Sequence, residues 1–495
     1  MKLGVLVCFL CVYCDFTDFE KPQNDNKNYL SFTLENQIKC LVISDPDTDI
    51  AGASVSVEVG SLDDYPELMG IAHFLEHMLF QGTKSYPGTN EYFNFISQYD
   101  GVANAYTAED HTNYHFVIKP DGFEGALERL GKFFKEPLIT ESAMMKELNN
   151  VESEHQKNIP SDIWRNHQLQ KNFRKAPFNK FSTGNFQTLY EIPKQQNLNL
   201  YQKLLEFYEE KYSANLMTVV ILGNQSVDIL KKLVVENFAA VENKDLVRKT
   251  FENPSTEYNR IIYMIPISQA REVKIKFDLE PLAVTKKDQN MMRLVSHVVG
   301  YEGKGSLLSV LKELNYATSL LAGERYIARG VGEFVVTVGL TETGLQEIDT
   351  VLRYVFSYIE LLRNDVIAAE KQWEEMRKVT DINFRFQSNR KASLDYIAGL
   401  ATRLGKDYFR MKTGYILKGH EFGEFDEKEF KNQMASLVPE KANFVITANE
   451  YQNGFPDGLI EQKEKYYGTS FVTKIIGASD LNSVKSIINV RGAML

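Results

Sequence analysis

Cysteine is scarce in this chain of 495 residues, and three of its four cysteines lie within the first fourteen positions. Only Cys40 lies beyond them, so the body of the protein has no second thiol with which to build an internal disulfide framework. Its stability must therefore come from packing. Hydrophobic residues make up 43% of the sequence, and no long low-complexity tract interrupts them, which is typical of a globular protein.

The sequence also lacks a surplus of positive charge and an apolar run long enough to cross a bilayer. A net charge of −10 argues against nucleic acid or anionic lipid as a partner. Residues 1–14 place Lys2 before a short apolar run, which predicts a secretory signal peptide. We expect a protein that is secreted or resident in the secretory-pathway lumen, without a stable membrane span. A cytoplasmic protein with a misassigned start is the alternative.

The spacing of apolar residues predicts a mixture of strands and helices in the first half of the chain. Alternation of polar and apolar residues indicates antiparallel strands, and repeats at three and four residues indicate helices. Strands are predicted within Asn28–Ser44, Ala53–Val59 and Asn104–Ile118, and helices within Glu67–Gln81, Phe123–Phe134 and Glu141–Asn158. The predicted fold class is therefore α+β.

A similar order of elements recurs in the second half of the chain. Strands are predicted at Arg260–Pro266 and Glu272–Leu279, followed by a helix at Asp288–Gly300. The repeat indicates two homologous domains, each a mainly antiparallel β-sheet backed by α-helices. The predicted units are a leader at 1–14, a first domain at 15–241, a linker at 242–257, a second domain at 258–480 and a tail at 481–495.

The run His73-Phe-Leu-Glu76-His77 carries the strongest chemical signal in the sequence. Two histidines four residues apart on a helix project from one face, close enough to share a metal ion. A hydrolytic zinc site needs three protein ligands and one open position for water. Glu76, three residues after His73, lies where a carboxylate could accept a proton from that water, so we predict it to be the general base.

A third ligand has to come from elsewhere, and the carboxylate-rich helix at 141–158 offers candidates. Glu147 and Glu154 are seven residues apart and share a face, whereas Glu152 points elsewhere. Spacing thus indicates one ligand and one supporting carboxylate without saying which is which. His111 and His115 are also four apart, but they lie in a strand-like segment where that spacing is too long for one metal. The four histidines that remain lack a ligand-spaced partner.

These residues, in the run His73-Phe-Leu-Glu-His-Met-Leu-Phe-Gln-Gly-Thr-Lys-Ser-Tyr-Pro87, resemble the insulysin (pitrilysin-like) family of zinc metallopeptidases. The likeness extends over about residues 28–470. It implies a zinc-dependent endopeptidase of short, largely unstructured peptides, with one zinc ion in the catalytic domain at 15–241. In that family the third ligand matches Glu154, and the supporting carboxylate matches Glu147.

The resemblance also implies substrate contacts and a partner. Positions matching the family's substrate contacts are Phe80 and Trp164 in the cleft, Asn104 and Ala105 on an edge strand, and Ala322 and Gly323 in the second domain. Family members enclose the peptide with four such domains, whereas this sequence has two. We therefore expect a second half-chain or a homodimer to close the chamber. The alternatives are a non-catalytic, zinc-binding half that binds peptide or regulates a relative, and a truncated gene model.

Overall fold

A computed structural model describes residues 15–255, 257–279, 290–388, 392–406, 412–420 and 422–477. The predicted leader at 1–14 and tail at 481–495 lie outside these residues. Within them, no helix is both long and apolar enough to cross a membrane. The strands are β1 Asn28–Thr33, β2 Lys39–Ser44, β3 Ala51–Val57, β4 Val102–Thr107, β5 Thr112–Ile118, β6 Met217–Gly223, β7 Arg260–Met264, β8 Arg271–Asp278, β9 Ala317–Ala328, β10 Val331–Leu340, β11 Ala442–Ala448, β12 Gln462–Lys463 and β13 Ser470–Ile475.

Helices occupy much of the sequence between these strands. They are α1 Ile71–Leu79, α2 Glu91–Gln98, α3 Phe123–Phe133, α4 Glu141–Asn158, α5 Asp162–Lys171, α6 Ile192–Gln195, α7 Leu200–Lys211, α8 Val227–Phe238, α9 Met292–Val299, α10 Leu307–Glu313, α11 Glu342–Gln346, α12 Ile348–Asn364, α13 Val366–Arg385, α14 Leu394–Gly405 and α15 Glu427–Met434.

The described strands form two sheets that repeat one topology. The first has the order β1-β2-β6-β3-β5-β4, and the second has the order β12-β13-β7-β11-β8-β10-β9. Each is antiparallel except for one parallel pair, β2 with β6 in the first and β7 with β11 in the second. Five neighbouring strands of the first sheet, in the order β2-β6-β3-β5-β4, thus correspond in order and direction to β7-β11-β8-β10-β9 of the second. The predicted α+β class with two related, mainly antiparallel sheets is confirmed.

Each sheet buries its own apolar core, and one helix of the second half also covers the first sheet. Helix α14 packs mainly on β3, β5 and β6 and also contacts β2. Its Ile397 and Leu400 share an apolar cluster with Leu41 and Val220. All seven residues of β3 are buried as a result, since the sheet is covered on both faces. The two halves of the chain are therefore joined through a shared apolar layer as well as through the linker.

Three predicted elements of the first unit differ most from the structure in their bounds. The strand-like segments at 28–44 and 104–118 are each two strands, separated by turns; Gln37, in the first turn, has a left-handed backbone with φ of 71°. The helix predicted from Glu67 begins at Ile71 because Gly70 takes a φ of 95°, which an α-helix cannot continue through. In the second half, the predicted helix appears as α9, and its residues 288–289 lie outside the described part.

Candidate metal centre and substrate cleft

Helix α1 is held in place at its first residue by a buried carboxylate and two glycines. Asp64 accepts hydrogen bonds from the backbone N–H groups of Gly70 at 2.7 Å and Ala72 at 3.0 Å, which satisfies donors at the helix start. A Cβ atom on Gly70 would lie 2.2 Å from the Cα of Gly184, so the segment ending at Gly184 packs directly against this turn. That approach brings the neighbouring Thr183 to the first histidine.

Both histidines of the motif have their Nδ1 atoms occupied by fixed partners. The Nδ1 atom of His73 lies 2.6 Å from the carbonyl oxygen of Thr183, and that of His77 lies 2.7 Å from Oε1 of Glu147. Partners of this kind place the ring proton on Nδ1 and leave Nε2 free to bind a metal. The two Nε2 atoms lie 3.3 Å apart, so both rings point to the same position.

Glu154 of helix α4 brings a third donor atom to that position. Its Oε2 atom lies 3.7 Å from Nε2 of His73 and 3.5 Å from Nε2 of His77. Ligands bound at about 2.0–2.1 Å from a tetrahedral zinc ion stand about 3.4 Å apart, so these three separations match one face of such a site. The donor set, two imidazoles and one carboxylate, is also one that zinc accepts in hydrolytic sites.

Glu76 is the other carboxylate near the two imidazoles, with an oxygen within 4.8 Å of their ring nitrogens. Its oxygen Oε2 accepts a hydrogen bond of 2.6 Å from the hydroxyl of Thr107 on strand β4. Glu154 has the shorter distances to both histidines, and we therefore take it over Glu76 as the better ligand candidate. Glu76 is only 7% exposed, and burial raises its pKa, while His73 and the Thr107 hydroxyl act to lower it.

The supporting carboxylate Glu147 is itself fixed by two amides. Gln81 and Asn150 each donate a hydrogen bond of 2.9 Å to its Oε2 atom, while Oε1 faces His77. Both carboxylate oxygens of the buried Glu147 therefore have hydrogen-bond partners. Glu152, the third carboxylate considered on this helix, points to another side and accepts a hydrogen bond from the backbone N–H of Phe186. It takes no part in the cluster.

The carboxylates favour a positive charge at the centre of the cluster. Burial alone would lower the pKa of His77, but Glu147 and Glu154, followed by Glu76, raise it to about 10. The pKa of Glu154 is lowered, chiefly by its hydrogen bond with His77. A divalent cation would satisfy the same carboxylates. The electrostatics therefore suit a metal ion that takes the place of the additional proton on the His77 ring.

A cleft of about 500 Å³ opens over these side chains. Four of the six predicted substrate contacts line it, namely Phe80, Asn104, Ala105 and Trp164. Asn104 and Ala105 belong to β4, the outermost strand of the first sheet, so their strand has one unpaired edge. Phe80 is buried and stacks on Phe93, with ring centroids 5.0 Å apart, which gives the cleft an apolar wall.

The other two predicted contacts, Ala322 and Gly323, lie in a separate cavity. That cavity is lined by strands of the second sheet and by helix α5, and Trp164 borders both it and the cleft. His111 and His115 are not joined in a cluster: their Nδ1 atoms meet Asp110 and Asn113 respectively, each at 2.9 Å.

Sequence reasoning missed several residues that complete the site. Thr107 lies within the 28–470 range over which the family resemblance extends, but nothing in its spacing shows that it reaches Glu76. Thr183 and Gln81 act on the two histidines through a backbone carbonyl and a bridging glutamate. Contacts of this kind depend on loop paths and leave no periodic signal in the sequence.

A loop of the second half supports the segment that holds His73. The carboxylate of Glu464 accepts hydrogen bonds from the backbone N–H groups of Tyr466 and Tyr467, the latter at 2.6 Å. The hydroxyl of Tyr467 lies 3.3 Å from that of Thr183, and Tyr466 stacks on Phe181 with ring centroids 4.1 Å apart. The site thus rests on residues from both halves of the chain.

Two helical histidines, a carboxylate at ligand distance and a buried glutamate beside them form the kind of site that metal-dependent hydrolases use. Residues 39–176 match the family described as Insulinase (Peptidase family M16), and residues 199–378 match the Peptidase M16 inactive domain. The chain belongs to the insulinase (M16) family of peptidases, as its motif predicts.

Similar proteins extend this result along nearly the whole chain. It is 36% identical to the insulin-degrading enzyme of Drosophila melanogaster over 468 residues, which covers 92% of this chain and 46% of that protein. The A-factor-processing enzyme of Saccharomyces cerevisiae is 34% identical, with 95% and 45% covered. The chain therefore spans less than half the length of these relatives.

Solved structures show the same fold. The crystal structure of pitrilysin superposes with a TM-score of 0.87 at 26% identity, over 96% of this chain and 50% of that chain. A protease from Helicobacter pylori has a TM-score of 0.65 at 19% identity, over 85% of this chain and 99% of that one. The second likeness concerns the fold alone.

Proposed function

We propose that this chain is the zinc-binding half of an endopeptidase that hydrolyses short, largely unstructured peptides. The observation that carries the proposal is the convergence of His73, His77 and Glu154, whose donor atoms lie 3.3 to 3.7 Å apart. These three residues would hold one zinc ion per chain, in the unit at 15–241. Membership of a peptidase family supports the reaction class.

The residues around that ion have different proposed roles. When bound, zinc acts as a Lewis acid that polarises the scissile carbonyl and acidifies a water molecule. Glu76 is proposed to take the proton from the attacking water and to pass it to the leaving amine. Its burial and its hydrogen bond from Thr107 hold the carboxylate in one orientation. Glu147 is proposed to orient His77 through their 2.7 Å contact.

The open edge of β4 offers a way to bind an extended peptide. A substrate strand that pairs with Asn104 and Ala105 would use main-chain hydrogen bonds, which suit many sequences. Phe80 and Trp164 would then bound a pocket for an apolar side chain. Only a peptide without stable structure can add as a strand in this way, which supports the proposed substrate class.

We also propose that efficient turnover needs a second half. The chain covers 46% of the Drosophila melanogaster relative, so the activity of the whole protein is not carried over to it directly. A second half-chain or a homodimer would close the cleft and exclude water from the bound peptide. The proposed location in the secretory pathway rests on the apolar leader alone.

The test is size-exclusion chromatography with light scattering, coupled to hydrolysis of a quenched fluorescent peptide. We expect zinc-dependent hydrolysis that follows one oligomeric fraction, is lost after chelation and returns on adding zinc. Peptide binding without hydrolysis in every fraction, with zinc present, would contradict the peptidase and favour a non-catalytic binding half. Mass measurement of the native protein separately decides whether further domains are attached.

A further inference from the structure

The second cavity lies between one face of the second sheet and helix α5. Strand β10 runs between β8 and β9, so three residues from three strands form each row across the face. One row consists of Lys274, Thr337 and Leu321, and the next consists of Lys276, Val335 and Gly323. The cavity on these rows has a volume of about 650 Å³.

This cavity continues from the substrate cleft. Trp164, on helix α5, lines both spaces, and its side chain is 37% exposed between them. A peptide lying in the cleft and continuing past Trp164 would enter the second cavity. At the floor, a Cβ atom built on Gly323 would meet no atom within 4 Å, so there is room for an incoming side chain.

The side chains around the cavity carry more positive than negative charge. Glu333, which is 2% exposed, pairs with Arg174 and with Lys276, the latter at 2.8 Å. Arg325 lies opposite Glu333 in the strand register. Asp278 lies opposite Glu333 on the other neighbouring strand, so three cations surround two carboxylates. Among the residues that the structure describes, Arg325 has no ion pair of its own within 4 Å.

The titration of the buried groups agrees with this excess. Burial acts to raise the pKa of Glu333, yet Lys276, Arg174 and Arg325 hold it at about 2. Lys276 has its pKa lowered to about 8 by burial and by Arg174 and Arg325, which outweigh the attraction of Glu333. Lys274, also in the lining, is paired with Glu272 at 2.6 Å and is locally neutralised. Glu324, the carboxylate in the lining, lies 3.7 Å from Arg293. The uncompensated positive charge is therefore located at Arg325, in a chain whose net charge is −10.

We propose that this cavity receives an acidic side chain of the peptide, so that the enzyme prefers substrates with aspartate or glutamate at one position beyond Trp164. The inference rests on the proposed peptidase function and names a substrate class for it. An anionic side chain would complete the charge balance around Arg325, and the open floor at Gly323 would accommodate it. An amide of the same shape would fit but would leave the surplus charge uncompensated.

The experiment uses pairs of quenched peptides that differ only by glutamate or glutamine at one position, moved along the peptide. All peptides are amidated at the C-terminus, so that the side chain is the only carboxylate tested. At one position we expect kcat/KM to be about three- to fivefold higher for the glutamate peptide, the size of a partly exposed ion pair. The preference should fall as ionic strength rises.

Variants decide whether Arg325 is responsible. Arg325→Gln should bring the glutamate-to-glutamine ratio close to one, whereas Arg325→Lys, which keeps the charge, should retain most of it. Lys232→Gln removes one positive charge from the exposed face of α8 and should leave the ratio unchanged. Peptides with a free C-terminus show whether a terminal carboxylate can take the place of the side chain.

The outcomes separate this inference from the function on which it rests. Zinc-dependent cleavage with equal rates for both members of every pair would overturn the cavity's role and leave the peptidase intact. If no peptide is cleaved, fluorescence anisotropy with the same labelled pairs still measures binding. Tighter binding of the glutamate peptide that disappears in Arg325→Gln would support the cavity's role, and equal binding would refute it.

Discussion

The two sheets of this protein share a topology, but among the residues that the structure describes only the first unit has a group of side chains that could hold a metal ion. In the first unit, helix α1 presents His73, Glu76 and His77 to the cleft. In the second, the corresponding helix α9 buries methionine, leucine and valine side chains and has a single histidine, His297. The difference shows that the repeated topology is a scaffold, and that a few polar side chains on one helix add the chemistry.

The second unit is nevertheless built into the site. Its loop at Glu464–Tyr467 supports the segment that holds His73, and its helix α14 covers the first sheet. Its edge strand β9 lines the second cavity in the way that β4 lines the cleft. The comparison therefore indicates that one repeat holds the proposed metal ligands, and that the other supports them and supplies part of the proposed substrate-binding surface. Five predictions test this division of labour.

The largest effect is expected from removing a metal ligand. His73→Ala and Glu154→Ala should each reduce bound zinc from one per chain to background and abolish hydrolysis, because two ligands rarely hold zinc in competition with a chelator. Metal analysis after dialysis against a mild chelator measures this. His297→Ala, in the matching helix of the second unit, is the control and should keep its zinc. Loss of zinc in the control would break the comparison between the two helices.

Glu76→Gln should lower kcat by about 10²–10⁴-fold, which is the usual contribution of a general base. Zinc content should stay at one per chain, since Glu76 is not expected to bind the ion. Steady-state kinetics and metal analysis on the same sample measure both quantities. Glu152→Gln makes the same change on the other side of helix α4, away from the cluster, and should keep full activity. A Glu76→Gln protein with normal turnover would contradict the assigned role.

Glu147→Gln should weaken zinc binding by about 10–100-fold, the usual cost of losing a group that orients a metal-bound histidine. The amide cannot keep the same contacts with His77, Gln81 and Asn150 at once. Competition with a fluorescent chelator gives the affinity. Glu141→Gln, on the exposed first turn of α4, is the matched control. Equal affinities in the two variants would remove Glu147 from the site.

Thr107→Val should lower kcat by about tenfold, because it removes one hydrogen bond to a charged group. Thr107→Ser keeps the hydroxyl and should restore most of the rate. Zinc content is expected to change little in either variant, since the hydroxyl bonds to Glu76 and Thr112 and to none of the three proposed ligands. Equal rates in the valine and serine variants would show that Thr107 has only a packing role.

The smallest effect on turnover is expected from the second unit. Glu464→Gln should reduce the free energy of unfolding by about 1–2 kcal/mol, because a buried carboxylate loses its charge-assisted bonds to two backbone N–H groups. Turnover should fall only about two- to threefold through looser support of Thr183. Urea unfolding and kinetics measure the two effects. A loss of turnover as large as that of Glu76→Gln would show that the second unit acts directly on the reaction.

Much of the fold could be predicted from the sequence because most elements bury one face. Periods of two and of three to four residues predicted the strands and helices of the first unit, and their recurrence predicted the second. The bounds were less accurate at turns. The start of α1 depends on Gly70, on a cap from Asp64 and on the close approach of Gly184, and two of these three residues lie far from the helix in sequence.

The sequence by itself determined the relative positions of the two histidines and of the glutamate between them. The geometry of an α-helix fixes these positions over four residues, whatever surrounds the helix. Spacing narrowed the proposed third ligand to one helix face, and only the family resemblance favoured Glu154 over Glu147. Only the tertiary structure gives the physical reason, since the packing of α4 against α1 puts Glu154 near both Nε2 atoms and Glu147 against Nδ1 of His77. The contacts of Thr107 and Thr183, and the charged cavity beside Trp164, also depend on the tertiary structure, because they form where distant segments meet.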